Sequence, residues 1–415
     1  MGGSGDLCDS FRKVFVVRSP LLRTLRQAVR AEVPSAERDF WDRVEAKGTP
    51  LVEADPDGDP AYRLVTFLWR DDPERPATDV LALLHTVTDK DRHAGDLAPH
   101  LTERVPGTGV WALSHRLRAD HRASYQFYVA RGPREETLRT DRAAWLKVLD
   151  EALPDPYATA PGLPSRDGRN PASVMELPQA PAQPYVQGGA VRTGRTLSAE
   201  VDGRRVTVHL PAAPALAVAV LLDGEMWGPV LDAPRMADRL HAAGAVPPTA
   251  LLLVDTMGRR MEDLSCSGEF VDWLADVLVP WAAREHGVAV PAARTVIAGQ
   301  SAGGLTAAYA VHRRPDRFGR ALSQSGSFWW PDENAPDGAG PEWLTRQYAR
   351  AAHRPVRIHL EVGAQEWMLL AENRRLRNVL RARGYEVTYE EFNGGHDYAC
   401  WRGGLMGGLA RLLGP

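Results

Sequence analysis

Cysteine is scarce in this chain: Cys8, Cys266 and Cys400 are the three among 415 residues. An odd count that low excludes a disulfide framework and suits a reducing compartment. Basic charge is not in excess either. The formal net charge is -3, which leaves no basic footprint for nucleic acid. Long apolar runs are missing too. Nothing approaches the ~20 residues of a membrane span, and the first run, Val14 to Val17, is too short for a secretory signal core. Lysine is rare and arginine takes its place. Biased codon supply gives that result, and so does an anionic ligand matched to the guanidinium fork; composition does not separate the two. Apolar residues make up 44% and charged residues 25%, so a packed core is expected in a soluble, cytoplasmic protein. The length accommodates two domains.

Proline divides the chain. From Leu153 the sequence runs LPDPYATAPGLPSRDGRNPASVMELPQAPAQPYV, too proline-rich for helix or central strand. Residues 153–190 are expected to form an extended connector. Residues 1–152 carry an amphipathic helix, Leu21 to Ala31, and strand signals at 63–70, 80–87, 110–117 and 124–129, the spacing of a small β-sandwich. Residues 191–415 change rhythm. Asp202-Gly203 joins two strand runs as a hairpin. Apolar runs at 216–222, 250–254, 295–298 and 356–362 then alternate with helical patterns at 269–286, 304–313 and 371–383. Strand alternating with helix predicts an α/β domain with a mostly parallel sheet. A hairpin entering such a sheet is the usual start of an α/β-hydrolase.

The chemistry is legible in the second half. Gly299-Gln300-Ser301-Ala302-Gly303 fits G-x-S-x-G, with a β-branched strand before it and a small-residue helix after it. That context presents Ser301 as a nucleophile on a strained strand-to-helix turn. A serine hydroxyl needs a base. His396, in Gly394-Gly395-His396-Asp397 after the last strand run, alone among twelve histidines has the right place in chain order. His312 and His359 read as helix-end and core residues. Glu366, just past the 356–362 run, is the expected acid; Asp397 and then Glu361 stand behind it. Ala302 should supply one oxyanion N–H. The loop Asp223-Gly-Glu-Met-Trp227 should supply the other, from Glu225 or Met226.

These residues resemble the enterochelin (enterobactin) esterases, which open ferric catecholate siderophores in the cytoplasm. The resemblance starts near Trp69. It is densest at Leu222–Trp227, Val296–Gly304, Leu322-Ser-Gln-Ser-Gly-Ser-Phe-Trp-Trp-Pro331, and Gly394–Asp397 followed by Cys400-Trp-Arg-Gly-Gly404. Val110-Trp111, Arg122–Phe127 and Met175–Pro181 resemble the domain that precedes the hydrolase. The register around Arg259 and Arg260 departs by one residue, and the first sixty residues match nothing in the family.

The resemblance implies a serine esterase acting on the trilactone of an iron-loaded catecholate siderophore, without a cofactor or a resident metal. An anionic, aromatic ligand calls for arginines and flat rings. Arg122, Arg260 and Arg402, with Trp227 and Trp329, are the expected substrate contacts; core packing is the competing role for each ring. Arg122 and Tyr125 would meet a catecholate from a capping N-terminal domain. Two other functions fit the same residues. One is a different carboxylesterase or acyltransferase on this scaffold. The other is a siderophore-binding protein without catalysis, against which the intact Ser301 and His396 count.

Overall fold

The computed structural model describes residues 19–132, 138, 140–166, 168–191, 193–331 and 340–414. Cys8 and the Val14–Val17 run lie outside the described residues. Contacts divide the chain into two compact units, Met1–Pro181 and Ala182–Pro415. No helix among the described residues is long and apolar enough to cross a membrane.

Among its described residues, the first unit opens with helices Pro20–Arg30 and Ala36–Lys47. Its strands are β1 (Leu51–Ala54), β2 (Tyr62–Arg70), β3 (Asp79–Leu84), β4 (Glu103–Arg104), β5 (Val110–Arg118), β6 (Arg122–Ala130) and β7 (Ser173–Glu176). They form a four-stranded sheet, β1-β2-β5-β4, and a three-stranded sheet, β3-β6-β7. Alternate residues on the facing sides share one core: Val65, Phe67 and Leu113 from the larger sheet, Ala82, Tyr125 and Phe127 from the smaller. This is the expected sandwich.

Two boundaries differ from expectation. The 80–87 run stops at Leu84, because Thr86 takes a positive φ of 69° and a helix starts at Val87. The proline-rich segment is also more than a connector. Its apolar stretch between Pro171 and Pro178 pairs antiparallel with β6, Arg122 opposite Glu176 and Tyr125 opposite Ser173. A proline-free window lets those backbone amides join a ladder at the sheet edge. The N-terminal unit therefore runs through Pro181 rather than ending at 152.

The second unit holds one eight-stranded sheet. Its strands are β8 (Arg195–Val201), β9 (Arg204–Leu210), β10 (Ala217–Leu222), β11 (Thr249–Val254), β12 (Thr295–Gln300), β13 (Arg320–Gln324), β14 (Arg357–Gly363) and β15 (Glu386–Phe392). The order is β15-β14-β13-β12-β10-β11-β9-β8, parallel apart from the entering hairpin. Asp202 and Gly203 both have positive φ, 50° and 75°, as a two-residue turn that matches strand twist requires. Along β10, Val218, Val220 and Leu222 face one core with Ile297, Phe270 and Leu305. Ala219 and Leu221 face the other, with Trp227, Trp401 and Leu405. Helices cover both faces, so the strands read as continuous apolar runs. The 269–286 helix is interrupted by a π segment at Leu274–Leu278, just before Pro280, which cannot donate an intrahelical bond.

Register sets up the site. Gln300 lies opposite Gln324, and Gln324 opposite Glu361, at the C-terminal ends of β12, β13 and β14. In-register neighbours point to the same side of a sheet.

Candidate active site

Ser301 follows β12 directly and caps helix Ala302–Arg313, with φ 58° and ψ -119°. That strained corner is the feature that lifts a serine out of a sheet. Space at the corner demands glycine. A Cβ on Gly299 would come within 2.5 Å of the Gly303 carbonyl. The loop after β13 clasps the corner: Ser301 N–H donates to the Gln324 carbonyl, and Ser327 N–H to the Ser301 carbonyl, both at 3.0 Å. The two hydroxyls, Ser301 Oγ and Ser327 Oγ, lie 3.3 Å apart. Ala302 opens the helix, where the first N–H groups have no intrahelical acceptor.

His396 Nδ1 lies 2.7 Å from Glu366 Oε2. A carboxylate oxygen accepts, so Nδ1 carries the proton and Nε2 is the basic nitrogen. Glu366 is buried, and its Oε1 accepts from the Gly363 N–H at 2.7 Å and the Ser325 hydroxyl at 2.5 Å. Gly363 must lack a side chain here, since a Cβ would sit 2.8 Å from Glu366 Oε1 and 2.5 Å from the Gly394 carbonyl. Asp397 serves the next helix: it is the N-cap of Tyr398–Leu413 and accepts from Ala399 N–H at 2.9 Å. Glu361 accepts from Gln324 Nε2 in the strand row. His359 is buried in β14, its Nδ1 2.8 Å from the Thr388 hydroxyl. His312 stacks edge-on to Tyr348, and burial pulls its imidazole down to about 4.

The loop after β10 is a single helical turn, Gly224–Trp227. Met226 N–H is committed to the Asp223 carbonyl at 2.9 Å, which leaves Glu225 as the candidate donor of the two expected. The Glu225 carboxylate accepts from Thr256 N–H at 3.0 Å and from the Thr256 hydroxyl. Arg260 fixes the same loop. Its Nε and Nη2 donate to the two Asp223 oxygens at 2.6 and 2.9 Å, and Nη2 also reaches the Gln300 carbonyl at 3.3 Å. Thus Arg260 ties the loop after β10 to Gln300, the residue before Ser301, and its expected role as a substrate contact is taken by these internal partners.

Three other expected substrate contacts are occupied inside the protein. Arg122 is 4% exposed and is held by Glu176 at 2.9 Å and the Pro181 carbonyl at 2.6 Å. Trp227 is fully buried, and its indole N–H donates to Gln300 Oε1 at 2.8 Å. Arg402 is 7% exposed, its Nε donating to Gln183 Oε1 at 3.3 Å. Tyr125 is buried as well and donates to Asp155 Oδ2 at 2.9 Å. Each is an amphipathic side chain whose polar end met an internal partner. Trp329, by contrast, is only half-buried.

Several residues that shape the site gave no chemical signal of their own. Gln300 Nε2 donates to Gln324 Oε1 at 2.6 Å, and Gln324 Nε2 donates to Glu361 and to the Trp401 carbonyl at 2.5 and 3.0 Å. Ser325 and Ser327 sit in the Leu322–Pro331 stretch, whose density of resemblance was the one available pointer to them.

A parallel sheet entered by a hairpin, a strained serine corner and a histidine–carboxylate pair after the last strands define an esterase of the α/β-hydrolase class, a carboxylic ester hydrolase. Family models match in two places: "Putative esterase" over residues 200–412 and "Enterochelin esterase, N-terminal" over residues 64–186. The iron(III) enterobactin esterase of Dickeya dadantii is 33% identical over 91% of this chain and 93% of that protein. The iron(III) salmochelin esterase of an Escherichia coli strain is 31% identical over 91% and 93%. The crystal structure of the enterobactin esterase from Shigella flexneri in the presence of enterobactin superposes with a TM-score of 0.75. That match has 30% identity and covers 89% of this chain and 97% of that one. The chain belongs to the enterobactin (enterochelin) esterase family.

Proposed function

We propose that this enzyme hydrolyses the ester bonds of an iron-loaded catecholate siderophore in the cytoplasm, with Ser301 as nucleophile, His396 as base and Glu366 as acid. Ser301 Oγ attacks an ester carbonyl of the trilactone while His396 Nε2 takes its proton. The N–H groups of Ala302 and Glu225 receive the developing oxyanion. The tetrahedral intermediate collapses, the C–O bond to the leaving seryl alkoxide breaks, and His396 returns the proton to that oxygen. Water then repeats the sequence on the acyl-enzyme. Glu366 keeps the Nδ1 tautomer and stabilises the imidazolium. Trp329 offers a ring to the catecholate, and Arg260 orders the loop that carries Glu225.

The observation that carries this reading is the 2.7 Å contact between His396 Nδ1 and Glu366 Oε2, on a loop beyond a strained Ser301. The relatives named for enterobactin and salmochelin support the substrate class. The test is a panel of catecholate trilactones, each with and without iron, read by mass spectrometry. Stepwise gain of water per ester is expected, and Ser301→Ala should abolish it, with kcat falling on the order of 10⁴ to 10⁶. Turnover of simple aryl esters with none of any trilactone would assign the enzyme to a different ester.

A further inference from the structure

Ser325 is buried and stands at φ 50°, a conformation that favours glycine over serine. Its backbone N–H donates to the Glu361 carbonyl at 2.7 Å. Its hydroxyl donates to Glu366 Oε1 at 2.5 Å and accepts the Trp401 indole N–H at 3.0 Å. Trp401 in turn sets its ring edge-on against the His396 imidazole, 4.6 Å between centroids at 80°. The four side chains close a circuit: Trp401 holds Ser325, Ser325 holds Glu366, Glu366 holds His396, and His396 packs on Trp401.

The circuit solves a specific problem. The terminal torsion of a glutamate is broad and roughly two-fold, so a carboxylate alone does not decide which oxygen faces its partner or at what angle. Two donors on Oε1, Ser325 Oγ–H and Gly363 N–H, fix that oxygen and leave Oε2 aimed at Nδ1. The indole fixes the serine rotamer, because Oγ must present its proton to Glu366 while it accepts from Nε1.

We infer that Ser325 and Trp401 are positioning residues for the acid–base pair: they set the orientation of the Glu366 carboxylate and of the His396 ring, and through them the aim of Nε2. This rests on the assignment of Glu366 and His396 given above.

The experiment separates hydroxyl from backbone. Ser325→Gly removes the hydroxyl and relieves the positive φ, and Ser325→Ala removes the hydroxyl and keeps it. A role confined to the backbone makes the glycine variant at least as active and as stable as wild type. A positioning role lowers kcat by about tenfold to a hundredfold in both, the scale of one charge-assisted hydrogen bond. KM should stay within about twofold, since the loss falls on the transition state. Trp401→Phe keeps a ring edge for His396 but no N–H, and should lower kcat by about threefold to tenfold. The low-field proton resonance of His396 Nδ1–H should move in each variant.

Melting temperature accompanies every kcat. If Ser325→Gly retains more than half of wild-type kcat, or loses it only in proportion to folded protein, the inference is overturned. Fluorophosphonate labelling of Ser301 in the wild type checks the underlying assignment on its own. A labelled wild type beside an unimpaired Ser325→Gly sinks the positioning role alone. An unlabelled wild type sinks the triad.

Discussion

Glu366→Gln is the sharpest test of the acid, because the substitution nearly preserves volume and inverts hydrogen bonding at one atom. In the native protein Oε2 faces His396 Nδ1 at 2.7 Å, and Oε1 takes the Gly363 N–H and the Ser325 hydroxyl. A glutamine amide must put its NH2 at one of those two places. Turned toward His396, it sets donor against donor, so the imidazole flips to the tautomer with the proton on Nε2 and can no longer act as a base. Turned the other way, it meets the Gly363 N–H, which cannot rotate away, and a buried donor goes unpaired. Neither orientation keeps the native tautomer and all three bonds together. An amide in place of a triad carboxylate costs up to about 10⁴ in kcat through the wrong tautomer. We expect a fall of roughly 10² to 10⁴, or about 3 to 5.5 kcal/mol on the barrier. Asp397→Asn is the control. Asparagine caps a helix as well as aspartate does, so kcat should stay within about threefold. Initial rates of trilactone hydrolysis, with melting temperatures beside them, decide the case. A Glu366→Gln enzyme with more than a tenth of wild-type kcat, or a larger loss in Asp397→Asn, would move the acid to Asp397.

Three further outcomes follow from the same contacts. Arg122→Ala should lower stability by about 2 kcal/mol, since it strands the Pro181 carbonyl and removes a buried guanidinium, and it should change KM equally for a charged siderophore and a small neutral ester; a selective rise for the siderophore would restore it as a substrate contact. Burial, with His100 nearby, holds the His115 imidazole at about 3 instead of 6.5, and its Nε2 meets no hydrogen-bond partner. An unfolded chain takes that proton near 6.5, so this contribution to stability is full above that pH and is lost as pH falls toward 3, about 2 to 3 kcal/mol of it by pH 4.5. His115→Phe should flatten this loss in urea or thermal unfolding, and parallel curves for mutant and wild type would refute it. Cys266 and Cys400 are not joined in a disulfide, and burial pushes the Cys266 thiol up; non-reducing peptide mapping should find no 266–400 link, and Cys266 should resist alkylation in the native state.

Local motifs were legible in the sequence where a short segment carries its own geometry. Asp202-Gly203, the Ser301 corner, the twin-glycine loop before His396 and Glu366 beyond β14 are all such segments. Side-chain partnership was not legible, since it depends on what the fold brings from afar. Arg122 looked available because Glu176 and Pro181 are more than fifty residues away in sequence. Trp227 looked like a ligand surface because nothing local reveals that Gln300 waits for its N–H. The five residues of β13 hid because Ser323 and Gln324 are polar, yet both are buried, and Gln324 is paired on both sides. The prolines around β7 masked a strand that needed only four residues.

The row from Trp227 through Gln300 and Gln324 to Glu361 has a direction. An indole N–H only donates, and each amide passes the bond on by accepting with oxygen and donating with nitrogen, until a carboxylate oxygen ends it. Both amide orientations are therefore dictated from the two ends, and neither can flip without breaking a bond on each side. Unlike hydroxyls or imidazoles, amides do not exchange protons along such a line. The row is a fixed line of dipoles that ties four segments of the chain to one another. Glutamate at either glutamine would set two acceptors face to face and break the line.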